Sequence, residues 1–332
     1  MGIRLVYGLQ YGDASYLDVF FPSRRLKEAA LTAGLDYAAL IHSPSDPPSR
    51  ILDFCAGTQE KHVVLFRGDL PDSLYGYLEA EGMRVVNPAA AVALARDKLR
   101  SAGFFQSTGA RHPQTILSQP MEIPPALPPA LPLALPFVAK PRFGKMGRGV
   151  ALIESLEQWS SYLAEAREKG QETIVQEFIG AATGRDVRFF FADFALGPDD
   201  AGPDGAGQGG KWYGPGWVCV MRSAPGFLSN AHAGGSMVAY SPPRELLDEA
   251  QRIFAASGLV YGTVDFLFAN EDGSGFVVCE LNANPGFEEL ERALNIDVAS
   301  AIIGSVIKNM PASSATSPDS PRVPTVGKDG TP

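Results

Sequence analysis

Apolar residues in the first hundred positions fall into short runs separated by stretches of helical period. IRLVYGL, DYAALI, KHVVLFRGD and MRVVN read as strands, and SRRLKEAALTAGL and LPDSLYGYLEAEG as helices, the second closed by Gly82. Strand and helix in alternation predict a small α/β domain over residues 1–100. Its last element is a helix over Ala89–Ala102 carrying Arg96, Asp97, Lys98 and Arg100. A second α/β region starts at Phe137. FVAK and GVALIES read as strands flanking a glycine-rich loop, and a helix follows from Leu156 to Lys169 with Ser155 as its N-cap. TIVQEFI, DVRFFFADFAL and WVCVMRSA are strand-like, Pro242–Ser257 is helical, and Glu288–Leu294 and Ile296–Lys308 close the pattern as helices. Between the two regions, residues 119–136 are Pro-rich: a spacer in extended or polyproline form, or a docking ligand. Gly197–Gly216 reads as a mobile loop, and the Ser/Pro/Thr-rich end from Pro311 as a disordered tail. The expected divisions are 1–100, 101–180, 181–309 and a tail over 310–332.

The strongest departure from simple patterning lies near the C-terminal end. VDFLF sets Asp265 inside an apolar strand. ELNANPGF sets Glu280 and Asn282 two residues apart and then stops with Pro285–Gly286. Between them, Asp272–Gly273 is a hairpin turn signal. A turn centred there, with a two- or four-residue loop, puts Asp265 opposite Glu280 and Thr263 opposite Asn282. Alternation then brings Asp265, Glu280 and Asn282 to one face. Like charges opposed on paired strands repel, and the apolar neighbours Val264, Phe266, Phe268, Val277 and Val278 imply burial. A hard cation such as Mg²⁺ relieves that conflict; the plainer alternative is a solvated polar face.

Composition narrows the picture further. The 332-residue chain is 45% hydrophobic and 20% charged, with a net charge of −9. That balance suits a folded protein with sizeable cores and argues against non-specific nucleic-acid binding, which needs clustered cations. Cys55, Cys219 and Cys279 have no metal-ligand spacing, and Cys219 and Cys279 sit in apolar runs, as core residues do. No apolar run reaches transmembrane length, and the N-terminal residues lack a signal-peptide pattern. The expected location is cytoplasmic, with no membrane or nucleic-acid partner.

Other motifs carry chemistry more weakly. KPRFGKMGRGV places Lys140, Arg142, Lys145 and Arg148 among Gly144, Gly147 and Gly149. Such a loop can bring backbone N–H groups to a phosphate, or be a basic hairpin loop and nothing more. It lies between two strands, so it is neither a Walker loop nor a dinucleotide fingerprint. Glu177 and Phe178 end a strand that can face an adenine, or simply end. Asp186 and Arg188 share a strand face, and Arg222 interrupts an apolar strand, where it wants either a phosphate or a structural carboxylate. His232, in the polar loop SNAHAGGS, is a base or a loop hydrogen-bonder. No activated nucleophile is evident.

The order of these motifs resembles the ATP-grasp superfamily, and within it the RimK-like carboxylate–amine ligases. ARDKLRS, FVAKPRFGKMGRGV, IVQEFI, DVRFF, the lone strand arginine, SNAHAGG, VDFLF and ELNANPGFEELERALNIDVA follow one another as in that family, from about Val63 to Lys308. The resemblance implies an ATP-grasp fold, with nucleotide between two α+β subdomains and a small α/β domain before them. It implies Lys98 and Lys140 at the ATP phosphates, Gly144, Lys145, Gly147 and Gly149 in a covering loop, and Glu177 and Phe178 at the adenine. Asp186 is implied near the ribose, with Ser229 and Asn230 as nucleotide or substrate contacts. Arg222 would stabilise the transferring phosphoryl group, and Asp265, Glu280 and Asn282 would hold two Mg²⁺ or Mn²⁺ ions. Leu228 and Ala233, where arginines are common, and Lys145–Met146 in the loop depart from the family pattern and bear on the acceptor.

The reaction so implied converts a carboxylate to an acylphosphate and then to an amide or peptide bond. The substrates are an amino acid, a small peptide or a protein C-terminus, in a chain compatible with a homo-oligomer. Two other readings are a ligase of glutathione-synthetase or D-Ala–D-Ala type, and a non-catalytic ATP-binding regulator. Retention of both lysines, Arg222 and the three metal ligands favours catalysis.

Overall fold

The first four strands pair into one parallel sheet. The computed structural model describes residues 2–8, 16–56, 62–118, 131–145, 147–195, 211–227 and 235–310. β1 (Gly2–Gly8) lies between β2 (Asp36–His42) and β3 (His62–Gly68), and β4 (Arg84–Val86) follows β3, giving the order β2-β1-β3-β4. The helices beside it are α1 (Tyr16–Val19), α2 (Phe21–Thr32), α3 (Ser49–Phe54) and α4 (Asp72–Ala80). Both faces of β1 and β3 are apolar, as a parallel sheet covered on both sides requires. Val6, Val64 and Phe66 enter one core, and Ile3, Leu5, Val63 and Leu65 the other.

The helix expected over Ala89–Ala102 is two helices. α5 (Ala89–Arg96) ends at Asp97, and α6 (Lys98–Ser107) begins there. Asp97 is extended (φ −89°, ψ 102°), and its carboxylate accepts from the N–H groups of Leu99 and Arg100. Arg142 donates to the same carboxylate at 2.9 and 2.6 Å. A cap and a buried ion pair at one residue outweigh the helical propensity of the run.

A small antiparallel sheet follows: β5 (Thr115–Leu117), β6 (Phe137–Pro141), β7 (Ala151–Ile153) and β8 (Thr173–Glu177), in the order β5-β8-β6-β7. α7 (Leu156–Glu168) covers it, with Ser155 accepting from Gln158 N–H as its cap. Phe137, Ala139, Ile153, Trp159 and Val175 form a separate core here.

The large antiparallel sheet is built from β9 (Arg185–Phe191), β10 (Tyr213–Gly214), β11 (Trp217–Ser223), β12 (Ser236–Ala239), β13 (Gly262–Phe268) and β14 (Phe276–Asn282). Its order is β10-β11-β9-β13-β14, with β12 paired to β11. On one face Val187, Phe189, Val264, Phe266, Val278 and Leu281 pack with Leu246, Ala250 and Ile253 of α8 (Arg244–Ser257) and Val92 of α5. The opposite face is divided. Phe190, Val218 and Val220 pack with α9 (Glu288–Leu294) and α10 (Val298–Lys308), and the charged residues occupy the remainder. Each of these cores also contains residues of the parallel sheet, so the two large sheets share cores while the small sheet keeps its own.

The β13–β14 hairpin has the predicted pairing at the charged residues but reaches it differently. Ala269 N–H bonds Gly275 O at 2.9 Å and Asn270 N–H bonds Ser274 O at 3.1 Å. The loop is therefore three residues, Glu271–Gly273, with Gly273 at φ 81°, a left-handed position that suits glycine. Phe268 pairs with Phe276 and Phe266 with Val278. The register then shifts at a bulge, after which Asp265 faces Glu280 and Thr263 faces Asn282. Cys279 is the extra residue. With Cys279 present but no bulge, the three-residue loop would set Cys279 opposite Asp265 and turn Glu280 toward the core.

Candidate active site

Two sheets face each other across a cleft of about 160 Å³. Lys98, Lys140, Gly144, Lys145, Gly147, Arg148 and Gln176–Ile179 line it from the small lobe, and Asp186, Arg222, Asp265, Leu267, Cys279 and Glu280 from the large sheet. Most of the residues singled out in the sequence meet there. Gly149 adjoins the loop at φ 72°, where a Cβ would meet Pro141 at 2.9 Å. Asn282 stands one step beyond Glu280 on the same strand. Ser229, Asn230, His232, Met146, residues 119–130 and the tail lie outside the described residues.

The large sheet contributes a ladder of charge. Arg222 lies directly across from Asp186, and Asp265 between Arg188 and Glu280. Arg222 donates to both Asp186 oxygens at 2.7 and 2.6 Å, and to Asp265 Oδ2 at 3.1 Å. Arg188 binds both Asp265 oxygens at 2.9 and 2.6 Å. Burial opposes the charge on Arg222, but Asp265 and Asp186 more than restore it. Burial pushes the Asp186 carboxyl up against the pull of Arg222. At Asp265 burial acts the same way, but two arginines outweigh it and the carboxyl sits below its usual range. Arg222 is thus both the buried arginine anticipated and the partner of a structural carboxylate. The alternation of DVRFF put Arg188 on this face, yet its bidentate hold on Asp265 joins residues 77 positions apart.

On the facing lobe, Lys140 Nζ donates to Gln176 Oε1 at 2.8 Å, and the Gln176 amide donates to Thr115 Oγ1 at 2.9 Å. Burial lowers the Lys140 pKa, with Glu280 across the cleft opposing the fall. Lys98 Nζ bonds Gly144 O at 2.6 Å, and its backbone N–H bonds Arg142 O at 3.2 Å. The Asp97–Arg142 pair therefore fixes the start of α6 to the strand that enters the glycine loop. Lys145 reaches Asp69, after β3, at 3.1 Å. Glu177 accepts from Gln114 N–H at 3.1 Å, and Phe178 packs against Phe227 with ring centroids 5.9 Å apart.

The donor set suits a hard cation. Glu280 forms no ion pair among the described residues. Asn282 directs its amide nitrogen at Thr263 Oγ1 (3.2 Å) and Asp265 Oδ2 (3.5 Å), leaving its carbonyl oxygen without a protein partner there. Among the described residues no three His, Cys, Asp or Glu side chains cluster as ligands. Two carboxylates and an amide match the sparse protein ligation of Mg²⁺, which completes its shell with phosphates and water.

A cleft between two antiparallel sheets, cationic on one side and acidic with arginines on the other, defines an ATP-grasp ligase. The model of the RimK-like ATP-grasp domain matches residues 95–194 and 218–306, and the chain belongs to that family. A probable alpha-L-glutamate ligase of Stenotrophomonas maltophilia is 33% identical over 232 residues, covering 69% of this chain and 71% of that one. A probable alpha-L-glutamate ligase 2 of Shewanella denitrificans is 28% identical over 308 residues, 89% of this chain and 94% of its own. Among solved structures, D-alanine–D-alanine ligase from Bacillus anthracis superposes with a TM-score of 0.64 at 16% identity over 93% of this chain and 96% of that one. An ATP-grasp RimK domain protein from Sphaerobacter thermophilus gives 0.59 at 21% over 92% and 99%. The fold is that of the ATP-grasp ligases. The chain is an ATP-dependent carboxylate–amine ligase that forms C–N bonds. No helix among the described residues is long and apolar enough to cross a membrane.

Proposed function

We propose that ATP lies in this cleft with its phosphates between Lys98, Lys140 and the loop of Gly144, Lys145, Gly147 and Gly149. Its adenine lies at Glu177 and Phe178, and its ribose near Asp186. Asp265, Glu280 and Asn282 would hold two Mg²⁺ or Mn²⁺ ions, which when bound neutralise charge on the phosphates. Arg222 steadies the transferring phosphoryl group, positioned by Asp186. Arg188 keeps Asp265 oriented and ionised. Ser229 and Asn230 are proposed as further nucleotide or substrate contacts.

A substrate carboxylate attacks the γ-phosphate to give an acylphosphate and ADP. An amine then attacks the acyl carbon, phosphate leaves, and an amide is formed. The loop excludes water from the activated acyl group. The relatives' names suggest L-glutamate as one substrate, joined to an amino acid, a peptide or a protein C-terminus, in a cytoplasmic enzyme. We also propose that the chain divides near residues 100 and 180, with the cleft between the last two parts.

The observation that carries this reading is the pairing of Asp265 with Glu280 in the cleft that Lys140 also lines. The test is ADP release screened over amino acids and candidate carboxylates, with product masses recorded. Glu280→Ala is expected to abolish turnover and weaken Mg²⁺-dependent nucleotide binding. Unchanged turnover would remove the metal assignment.

A further inference from the structure

Arg67 is 3% exposed, and no carboxylate among the described residues pairs with it. The other buried arginines there differ: Arg4 holds Asp36 at 2.9 Å and Arg222 holds Asp186. Arg67 donates to Pro285 O at 2.9 Å and weakly to Tyr261 Oη at 3.4 Å, and lies 5.5 Å from the Phe287 ring centroid. Among the described residues its Nε is buried without an acceptor. A guanidinium has five N–H donors, so most of this fork is unused by them. Burying it without a countercharge is costly, and a planar carboxylate is the anion it fits.

Its place in the fold points the same way. Arg67 sits near the C-terminal end of β3, beside Tyr7 of β1. In the order β2-β1-β3-β4 the chain passes from β1 to one side for β2 and to the other for β3. The carboxyl ends of β1 and β3 therefore flank the switch point, where open α/β sheets take their ligands.

A polar track joins Arg67 to the cleft. Tyr261, Thr263 and Asp265 fall at alternate positions approaching and along β13, as do Asn284, Asn282 and Glu280 on the paired segment. The Tyr261 hydroxyl lies 2.8 Å from the Asn284 amide, and Thr263 contacts Asn282 at 3.2 Å. From Asp265 to Tyr261 is four residues, roughly 13 Å of strand. A carboxylate held at Arg67 therefore lies at the far end of this track from the metal-binding pair, and the group that reacts lies between them.

We propose that Arg67 receives a second, unreactive carboxylate of the amino-acid or peptide substrate and so selects substrates carrying one. This rests on the ligase reading above.

The test is calorimetric binding of L-amino acids and their α-amides to the full chain with ADP present, alongside ADP release with ATP. L-glutamate, L-isoglutamine and L-glutamine form the central set, separating the α- from the γ-carboxylate. The wild-type protein should prefer the acid over the amide lacking the recognised carboxylate by about 100-fold. Arg67→Met should reduce that preference to within about threefold while ADP affinity holds. Arg67→Lys, which keeps the charge without the fork, should fall between and guards against misfolding of the first variant. The proposal is overturned if the wild type shows no acid preference, or if either variant weakens acid and amide equally, as a clamp on Pro285 alone would. An acid preference without turnover would retain the carboxylate site and remove the ligase reading.

Discussion

Lys140 concentrates the chemistry of the cleft in one side chain. Burial lowers its pKa, Glu280 opposes that fall, and Gln176 fixes where Nζ points. A lysine cradling phosphate must be protonated, and raising the pH removes the proton. With its pKa held below the usual 10.5, Lys140 loses its charge earlier on an alkaline titration than an exposed lysine does. Affinity for ATP is therefore expected to decline on the approach to that range. Lys140→Arg, always charged, should flatten the profile at some cost in affinity, because a planar fork replaces a point charge. Nucleotide titrations between pH 7 and 10 in matched salt decide this, and identical profiles for the two proteins would refute it.

At the scale of elements, the bulge in β14 aims the site. Cys279 and Glu280 together oppose Asp265, and both line the cleft. Because the bulge needs an extra backbone residue and not a thiol, Cys279→Ala should keep turnover within about threefold. Deleting Cys279 is a sharper change. Glu280 would remain opposite Asp265 in a regular ladder, so the hairpin should still fold. The local bend that aims Glu280 would be gone, and turnover should fall by tenfold or more with a raised Mg²⁺ requirement. Full activity in the deletion would mean that register alone suffices.

The same element shows what a sequence discloses. The pairing of Asp265 with Glu280 was legible from alternation and the Asp272–Gly273 turn. The loop length was not, because three residues plus a bulge give the same pairing as two or four without one. The three-residue spacing from buried Val278 to buried Leu281 was the available signal. The helix break at Asp97 was hidden for a different reason: the arginine that secures it lies 45 positions away, on β6–β7. The contacts of Arg188 and Arg67 were hidden likewise, since their partners are distant in sequence and adjacent only in the folded chain.

At the scale of the whole molecule, a single buried amide ties the parallel sheet to the catalytic hairpin. Asn87, fully buried just after β4, donates to Tyr261 O at 2.9 Å and Ala283 O at 2.6 Å. Its carbonyl accepts from the N–H groups of Val260 at 2.7 Å and Tyr261 at 3.2 Å. These bonds fix both ends of the hairpin segment that carries Asp265, Glu280 and Asn282, between cores that the two large sheets already share. Asn87→Ala would leave several buried backbone groups unsatisfied, at a cost of about 3 kcal/mol after partial relaxation. In a 332-residue chain that corresponds to about 4 °C in Tm. Asn87→Asp retains the acceptor but turns a carboxylate oxygen toward two carbonyls, so it should destabilise at least as much at neutral pH and recover part of the loss in acid. The small sheet has its own core and touches none of these bonds. ATP affinity supplied by Lys98 and Lys140 should therefore fall less than turnover, which depends on where the hairpin stands. Thermal unfolding, nucleotide titration and ADP release on the same preparations separate the outcomes, and an unshifted Tm in Asn87→Ala would show that the shared cores alone hold the sheets together.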